Sequence, residues 1–323
     1  MDEIKCILCD VESNHVVIQE NGYTAKKCPQ CGLIYLSPRP SFDEARNLYV
    51  HDDAHFSAKF HISAAFSKRL SARHHLGIIR SFVPGGTLLE IGAGAGYFLD
   101  EARRIGFDPF GLELNPTQAD FIRNTLRIPC EDAPLSTSVF GGKKFDIVYH
   151  CDVLGHLFDP MSDFRTMHAL LKEDAFLIFE TGNLGEVDPR YFKYFERFQC
   201  PDHLFFFGTD NLRALLDRTG FEVLAIYRYS TIPQLAAKKM LARIGGLLAR
   251  WGRRGEGSEE KVGKAKGVVP EAPLRNSRSK AAVRNGLLYF SYFLRYKIGY
   301  LAPKQNRPQT VIIVARKRGP KAL

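Results

Sequence analysis

No uninterrupted apolar run in this chain reaches the roughly 18 residues that a membrane-spanning helix needs. That excludes a helical membrane span on sequence grounds. The first residues, Met1-Asp-Glu-Ile-Lys-Cys6, have neither the basic nor the apolar region of a secretory signal, so a cytoplasmic enzyme is the expectation. Cysteine is scarce, with seven in 323 residues, and in a reducing compartment so few argue for metal binding rather than disulfides. Acidic residues thin out toward the end. From residue 236 onward there are 21 Lys/Arg against 4 Asp/Glu, whereas residues 1–235 carry 24 against 31. The net charge of +10 therefore belongs to the last quarter and points to an anionic partner there. What is abundant is core: 45% hydrophobic residues suffice for one large domain or two small ones.

Four of the seven cysteines form two pairs, Cys6-x-x-Cys9 and Cys28-x-x-Cys31, with 18 residues between them. This spacing is that of a zinc ribbon, in which two tight knuckles bring four sulfurs to one tetrahedral site. Four protein sulfurs leave no open position, so the expected zinc is structural.

The most informative stretch is Leu88-Leu-Glu-Ile-Gly-Ala-Gly-Ala-Gly96. A strand-like run, Thr87 to Ile91, enters a glycine turn. A helix-like run, Tyr97 to Ile105, follows and stops at Gly106. A second strand-like run, Asp108 to Leu114, then carries Glu113, 17 residues after Gly96. This is βαβ spacing for a nucleoside-containing cofactor. The glycines let the backbone turn and approach the ligand, and the carboxylate accepts hydrogen bonds from two ribose hydroxyls.

The spacing Gly92-x-Gly94-x-Gly96, with Glu90 two residues ahead, resembles motif I of class I S-adenosylmethionine-dependent methyltransferases. Phe145-Asp-Ile-Val-Tyr-His-Cys-Asp-Val-Leu-Gly-His156-Leu-Phe-Asp159-Pro160 is similar to the family's fourth strand and the segment after it, except that Gly155 stands where the family has Glu. The resemblance covers residues 1–229 and 310–316. It implies S-adenosylmethionine as cofactor. Glu90, Gly92, Gly94 and Gly96 would border its methionine part, and Glu113 with Leu114 its ribose. Asp132, in preference to Glu131, would meet the adenine amino group, and Asp152 would lie at the end of the fourth strand.

The implied fold is α/β, with a Rossmann-like seven-stranded sheet, a small N-terminal zinc-ribbon module and a helical insertion before the last strand. The expected boundaries are 1–40 for the zinc module, 41–83 for a helical lead-in, and 84–229 for the core. The basic insertion with a linker spans 230–308, and the last strand with a basic tail 309–323. Strands are expected near 87–91, 108–114, 128–131, 145–150, 175–181, 221–228 and 310–316. Ser41-Phe-Asp-Glu44 reads as a capping box. His74 and His75 read as exposed helix residues or a lid contact.

Methyl transfer asks the protein to orient an acceptor and remove its proton. The candidates are His203 with Asp202 as its orienting partner, then His156, and Asp152 with His150. Tyr191, Phe192, Tyr194 and Phe195 read either as acceptor-pocket walls or as core. Residues 234–251 form a basic amphipathic pattern and 286–301 an aromatic one with Arg295 and Lys297. An anionic membrane surface at the inner face or a lipid-linked substrate fits these segments. So does a helical cap over the active site, and nucleic acid fits less well. The expected activity is methylation of a small molecule (sugar, glycolipid or isoprenoid-like), with oxygen slightly preferred. The alternatives are an RNA methyltransferase using the zinc module and basic segment, or a non-catalytic cofactor-binding adaptor.

Overall fold

The computed structural model describes residues 1–50, 58–240, 278–302, 304 and 306–319. The expectations for residues 241–277, including most of the basic helix and the linker, lie outside the described residues. Among those described, no helix is long and apolar enough to cross a membrane.

Two sheets organise the chain. The smaller one contains β1 (Val16–Glu20), β2 (Tyr23–Lys27) and β3 (Ile34–Leu36) in antiparallel order. Three helices follow: α1 (Phe42–Val50), α2 (Ala58–Ser63) and α3 (Ala65–Arg80). The Ser41/Glu44 box forms at the start of the first, with the Ser41 N–H donating to Glu44 Oε2 at 2.9 Å. The large sheet then begins with β4 (Gly86–Ile91), α4 (Tyr97–Arg104), β5 (Phe107–Leu112), α5 (Pro116–Asp120) and the two-residue β6 (Cys130–Glu131). It continues through β7 (Phe145–Cys151), α6 (Pro160–Leu170) and β8 (Leu171–Gly182). The short β9 (Phe205–Phe206) precedes α7 (Thr209–Arg218) and β10 (Phe221–Ser230). After helical residues 232–240 and the stretch left undescribed come α8 (Arg278–Phe293) and β11 (Gln309–Lys317).

The seven-stranded order is β10-β11-β8-β7-β4-β5-β6. Five strands are parallel, and β11 inserts antiparallel between β8 and β10. The strand order reverses at β4, where β5 and β7 flank it, so the ligand crevice of such a sheet opens at the carboxyl end of β4. The hairpin of β10 and β11 runs from Phe221 opposite Lys317 to Ser230 opposite Gln309, so residues 231–308 are inserted in it.

Neighbouring residues in each central strand bury on opposite faces, as the period of two requires. Leu88, Ile147, Ile178 and Ile312 pack with α3 and α4, including Leu76, Ile79 and Phe98. Leu89, Val148, Leu177 and Ile313 pack on the other face with Phe164, Met167 and Leu215. Both faces are covered, which a parallel sheet needs. The second core also takes in Cys6, Leu8, Ile34 and Leu36, so the cysteine module shares the sheet's hydrophobic interior. It shares backbone too, since β9 pairs with β3 to complete the small sheet.

Candidate active site

At the carboxyl end of β4 the glycine turn adopts conformations that other residues resist. Gly94 has φ +55°, and among the described residues a Cβ there would meet only Gln118 Oε1 at 3.5 Å and His61 Nδ1 at 3.9 Å, on the cavity side. Gly96 has φ +69°, and a Cβ there would lie 2.6 Å from Ile122 Cγ1, so α4 can pack on the following turn only without a side chain. Glu113 faces this turn. Its Oε2 accepts from the Gly94 N–H at 2.6 Å and its Oε1 from the Asn115 N–H at 2.9 Å. A carboxylate has further lone pairs, so these bonds fix Glu113 in place and leave it able to accept from a ligand. Glu90 is buried, with one carboxyl oxygen that meets no partner among the described residues. Burial pushes its pKa well up, and the neighbouring Glu113 charge adds to this. A bare acid and an open glycine at the cavity wall suit a ligand with a cationic donor group.

One cavity of about 840 Å³ joins this turn to a second set of residues. At its near end it is lined by Glu90, Gly92, Gly94, Glu113, Leu114 and Gln118, and by Asp152 at the end of β7. Asp132 is not among its walls. Its carboxylate is 47% exposed and pairs with Arg123 at 3.1 Å, and Ala133, Pro134 and Leu135 line the cavity there instead. An adenine contact from Asp132, as the resemblance implies, would require this ion pair to open. After β6 ends at Glu131, the chain turns its apolar residues inward.

At the far end stand His156, Asp202 and His203. The structure brings all three predicted residues together, but pairs them differently. Asp202 orients His156, not His203. His156 Nδ1 lies 3.0 Å from the Asp202 carbonyl and 3.2 Å from Asp202 Oδ1. Both are acceptors, so Nδ1 carries the proton and Nε2 is the lone-pair nitrogen of the neutral ring. Burial alone would lower the His156 pKa, but the hydrogen bond and charge of Asp202 outweigh it and raise the value. His203 packs its ring 4.3 Å from that of His156. Burial, then the His156 charge, push His203 down to about 3, and its Nδ1 meets no partner among the described residues. An imidazole that resists protonation so strongly is a poor proton acceptor.

The departure at Gly155 has a steric reason. A Cβ there would lie 2.7 Å from His203 Cδ2 and 3.2 Å from the Phe205 carbonyl. The His203 ring occupies the space a larger residue at 155 would fill.

Other expectations change as well. His75 is not an exposed helix residue. It is buried, with Nδ1 2.6 Å from Tyr149 Oη and Nε2 2.8 Å from Glu180 Oε2. His74 bonds Tyr229 Oη at 2.9 Å. His150 is core, stacked on Phe179, and burial pushes its pKa down to about 3. Tyr191, Phe192, Tyr194 and Phe195 do not line the cavity; Phe192, Phe195 and Phe198 pack on one another outside it. Arg295, expected at an interface, turns inward to line the cavity, and its Nη2 lies 2.6 Å from Glu180 Oε1.

Glu180 and Arg295 were missed as a pair. Burial would raise Glu180, but Arg295 and then His75 pull it down to about 2. Removing Arg295 would leave a buried carboxylate without its main partner, a loss of about 3–5 kcal/mol. The signal was present for Glu180, an acid closing the apolar run Ala175-Phe-Leu-Ile-Phe179 as Glu113 closes the second strand. Nothing local marked Arg295 as its partner, 115 residues away.

In the N-terminal module the sulfurs of Cys6, Cys9, Cys28 and Cys31 lie within 4.8 Å of one another, Cys6 and Cys31 at 3.5 Å. Zinc–sulfur bonds of about 2.3 Å in a tetrahedron set sulfurs roughly 3.8 Å apart. The four residues fit such an ion with little adjustment.

The sheet order, the crevice at β4 and the acid-flanked glycine turn define a class I S-adenosylmethionine-dependent methyltransferase. The comparison with known families agrees: residues 64–226, half of the chain, match the model described as a methyltransferase domain, and the chain belongs to that family. Among curated proteins it is similar to the ubiquinone biosynthesis O-methyltransferase of Ruegeria pomeroyi, 28% identical over 170 residues, which are 45% of this chain and 66% of that one. The protein of the same name from Cereibacter sphaeroides is 27% identical over 127 residues, 38% of this chain and 49% of that one. The chain thus spans from about half to just under two thirds of these relatives. Among solved structures it is similar to a putative sarcosine dimethylglycine methyltransferase from Galdieria sulphuraria, with TM-score 0.48 and 14% identity over 78% of this chain and 85% of that one. A phosphoethanolamine N-methyltransferase 2 from Haemonchus contortus gives TM-score 0.48 and 14% identity, over 88% and 63%.

Proposed function

We propose that this chain methylates a hydroxyl group of a small-molecule acceptor, of the sugar, glycolipid or isoprenoid-like kind. S-adenosylmethionine, when bound, supplies an electrophilic methyl group on a sulfonium. Glu90, the glycine turn with Gly92, Gly94 and Gly96, Glu113 and Leu114 would hold it, with Asp152 beside it. His156 is the general base. Asp202 fixes its tautomer, directs the Nε2 lone pair and stabilises the imidazolium once the hydroxyl proton has moved to it. His203 packs against this pair and keeps water from it. The carrying observation is that the Asp202–His156 pair and the Glu90/Glu113 turn line one cavity. The name of the curated relatives, O-methyltransferases, supports oxygen as the acceptor atom.

The test has two steps. Titration calorimetry with S-adenosylmethionine, and NAD as control, should show micromolar binding of the former alone. Transfer of a labelled methyl group to a panel of phenols, sugars and quinols should then show turnover that needs His156. Binding of both nucleotides alike, or turnover unchanged in His156→Ala, would overturn the assignment.

The four cysteines are assigned to a structural zinc ion. Metal analysis should find one zinc per chain and none in Cys28→Ser; full retention in that variant would refute the site. A lipid-linked acceptor is the second reading. It is favoured by the exposed Val283, Leu287 and Phe290 of α8, which lie in a segment with Arg284 and Lys297. Co-sedimentation with anionic but not neutral vesicles would support it, and no sedimentation with either would reject it.

A further inference from the structure

The turn that carries Asp202 is held from outside the methyltransferase sheet. Glu20, the last residue of β1, accepts from two backbone N–H groups of that loop, Phe198 at 3.0 Å through Oε1 and Cys200 at 2.7 Å through Oε2. Asn21 donates from Nδ2 to the Cys200 carbonyl at 2.8 Å. These two charge-assisted bonds and one amide bond reach three main-chain groups of two residues, Phe198 and Cys200. Gln199 sits between the two clipped N–H groups with φ +66°, a left-handed conformation that a non-glycine residue does not keep unaided. The Gln199 carbonyl in turn accepts from the His203 N–H at 2.9 Å, closing the turn that contains Asp202.

The other flank of the turn is tied as firmly. The Leu204 N–H donates to the Gly155 carbonyl at 2.7 Å, and the Leu36 N–H to the Leu204 carbonyl at 2.9 Å. Ile34 and Tyr35 then pair with Phe206 and Phe205. Residues 198–206 therefore run between the cysteine module and the turn that carries His156. Glu20 and Asn21 lie at the tip of the β1–β2 hairpin and touch neither the cavity nor the glycine turn. Their reach is confined to one end of the site.

We propose that Glu20 and Asn21 are positioning residues, a clip by which the N-terminal module presents Asp202 to His156. The inference rests on the reading of His156 and Asp202 as the acceptor-side pair. It gives the small sheet a task in the reaction beyond its own stability: it supplies the outer wall against which the acid–base pair is set.

Cys200 provides a reporter, being fully buried between the clip and the core. In the full chain, Glu20→Ala and Asn21→Ala should let iodoacetamide label Cys200 at least about tenfold faster, measured by peptide mass spectrometry. Hydrogen exchange should rise across 198–206 and not across 88–96. S-adenosylmethionine affinity should stay within about twofold of wild type, while kcat for methyl transfer to catechol, used as the probe acceptor, falls about tenfold or more. Glu20→Gln, which keeps acceptor oxygen for one of the two N–H groups, should fall between. Three results would overturn the proposal: Cys200 still protected, turnover unchanged despite faster labelling, or cofactor affinity lost in parallel with turnover. If wild type does not methylate catechol, catechol is not its acceptor and the turnover comparison is made with the phenol, sugar or quinol that wild type does methylate; the labelling and exchange of the variants decide whether the clip exists.

Discussion

The two ends of the cavity are built in opposite ways. The cofactor end comes almost entirely from residues 90–96 and 113–118, one strand, one turn, and the end of the next strand with the helix start after it. The acceptor end is collected from across the chain: His156 after β7, Asp202 and His203 before β9, Glu180 at the end of β8, Arg295 beyond α8, with Glu20 behind them. The first end depends on backbone shape, with glycines in left-handed conformations and a carboxylate pinned by two N–H groups. The second depends on side chains meeting through tertiary contacts, Arg295 to Glu180 and Asp202 to His156. A local end can be destroyed by one steric change. A collected end degrades piece by piece, and its pieces can be separated from cofactor binding.

The largest expected effect breaks the local end. Gly94→Arg places a long side chain on the cavity side of a residue with φ +55°. S-adenosylmethionine binding should be abolished, as read by calorimetry, and turnover with it. The acceptor end should survive, with Cys200 as protected as in wild type. Retained affinity would mean that the ligand does not pass Gly94.

Next in size is the removal of the base. His156→Ala should lower kcat by about 10²- to 10⁴-fold with cofactor affinity nearly unchanged. The pH dependence follows from the sign of the shift. Asp202 holds the His156 pKa above the ordinary value of 6.5, and the base must be neutral to act. The acid limb of kcat/KM should therefore lie above pH 6.5, and Asp202→Asn should move it to lower pH while lowering the plateau. For stability the sign is opposite. A raised folded-state pKa stabilises the protein below the unfolded value and loses that contribution as pH rises through the folded one. An acid limb that does not move in Asp202→Asn would separate the two residues.

The same contrast explains what the sequence made legible. The seven strands, the glycine turn with its two acids and the Cys6/Cys9/Cys28/Cys31 spacing are contiguous patterns, and periodicity and turn chemistry reveal such patterns directly. Asp202, His203 and His156 were recognisable as residues of the right type, but not their pairing, because adjacency in sequence suggested Asp202 beside His203. In the fold the neighbours diverge: His203 swings into the space left by Gly155, and Asp202 turns to His156. His75 and Arg295 look like surface residues by pattern, yet His75 is buried and Arg295 half-buried, and each meets Glu180, a partner more than 100 residues away.

A middle-sized effect sharpens this point. Gly155→Glu restores the residue type that the family carries there, and its Cβ alone would meet the His203 ring at 2.7 Å. Overpacking of this kind costs about 1–3 kcal/mol. Because the collision falls on His203 and the Phe205 carbonyl, turnover should drop several-fold while cofactor affinity holds. The double variant Gly155→Glu with His203→Ala should recover part of the loss of stability, measured by thermal unfolding. If it recovers nothing, the ring is not what excludes the larger residue.

The smallest expected effect lies at the rim of the local end. The resemblance assigns Asp132 to the adenine amino group, but the carboxylate is about half exposed and faces Arg123, while Ala133, Pro134 and Leu135 form the wall. Exposed ion pairs contribute about 0–1 kcal/mol, so Asp132→Asn should leave folding nearly unchanged. If the apolar wall alone receives the adenine, affinity for S-adenosylmethionine should stay within about twofold. Ala133→Asp, which puts a charge into that wall, should weaken binding more. A tenfold loss in Asp132→Asn would mean that Asp132 leaves Arg123 when the cofactor binds. Even the end read most directly from sequence would then finish its assembly only around its ligand.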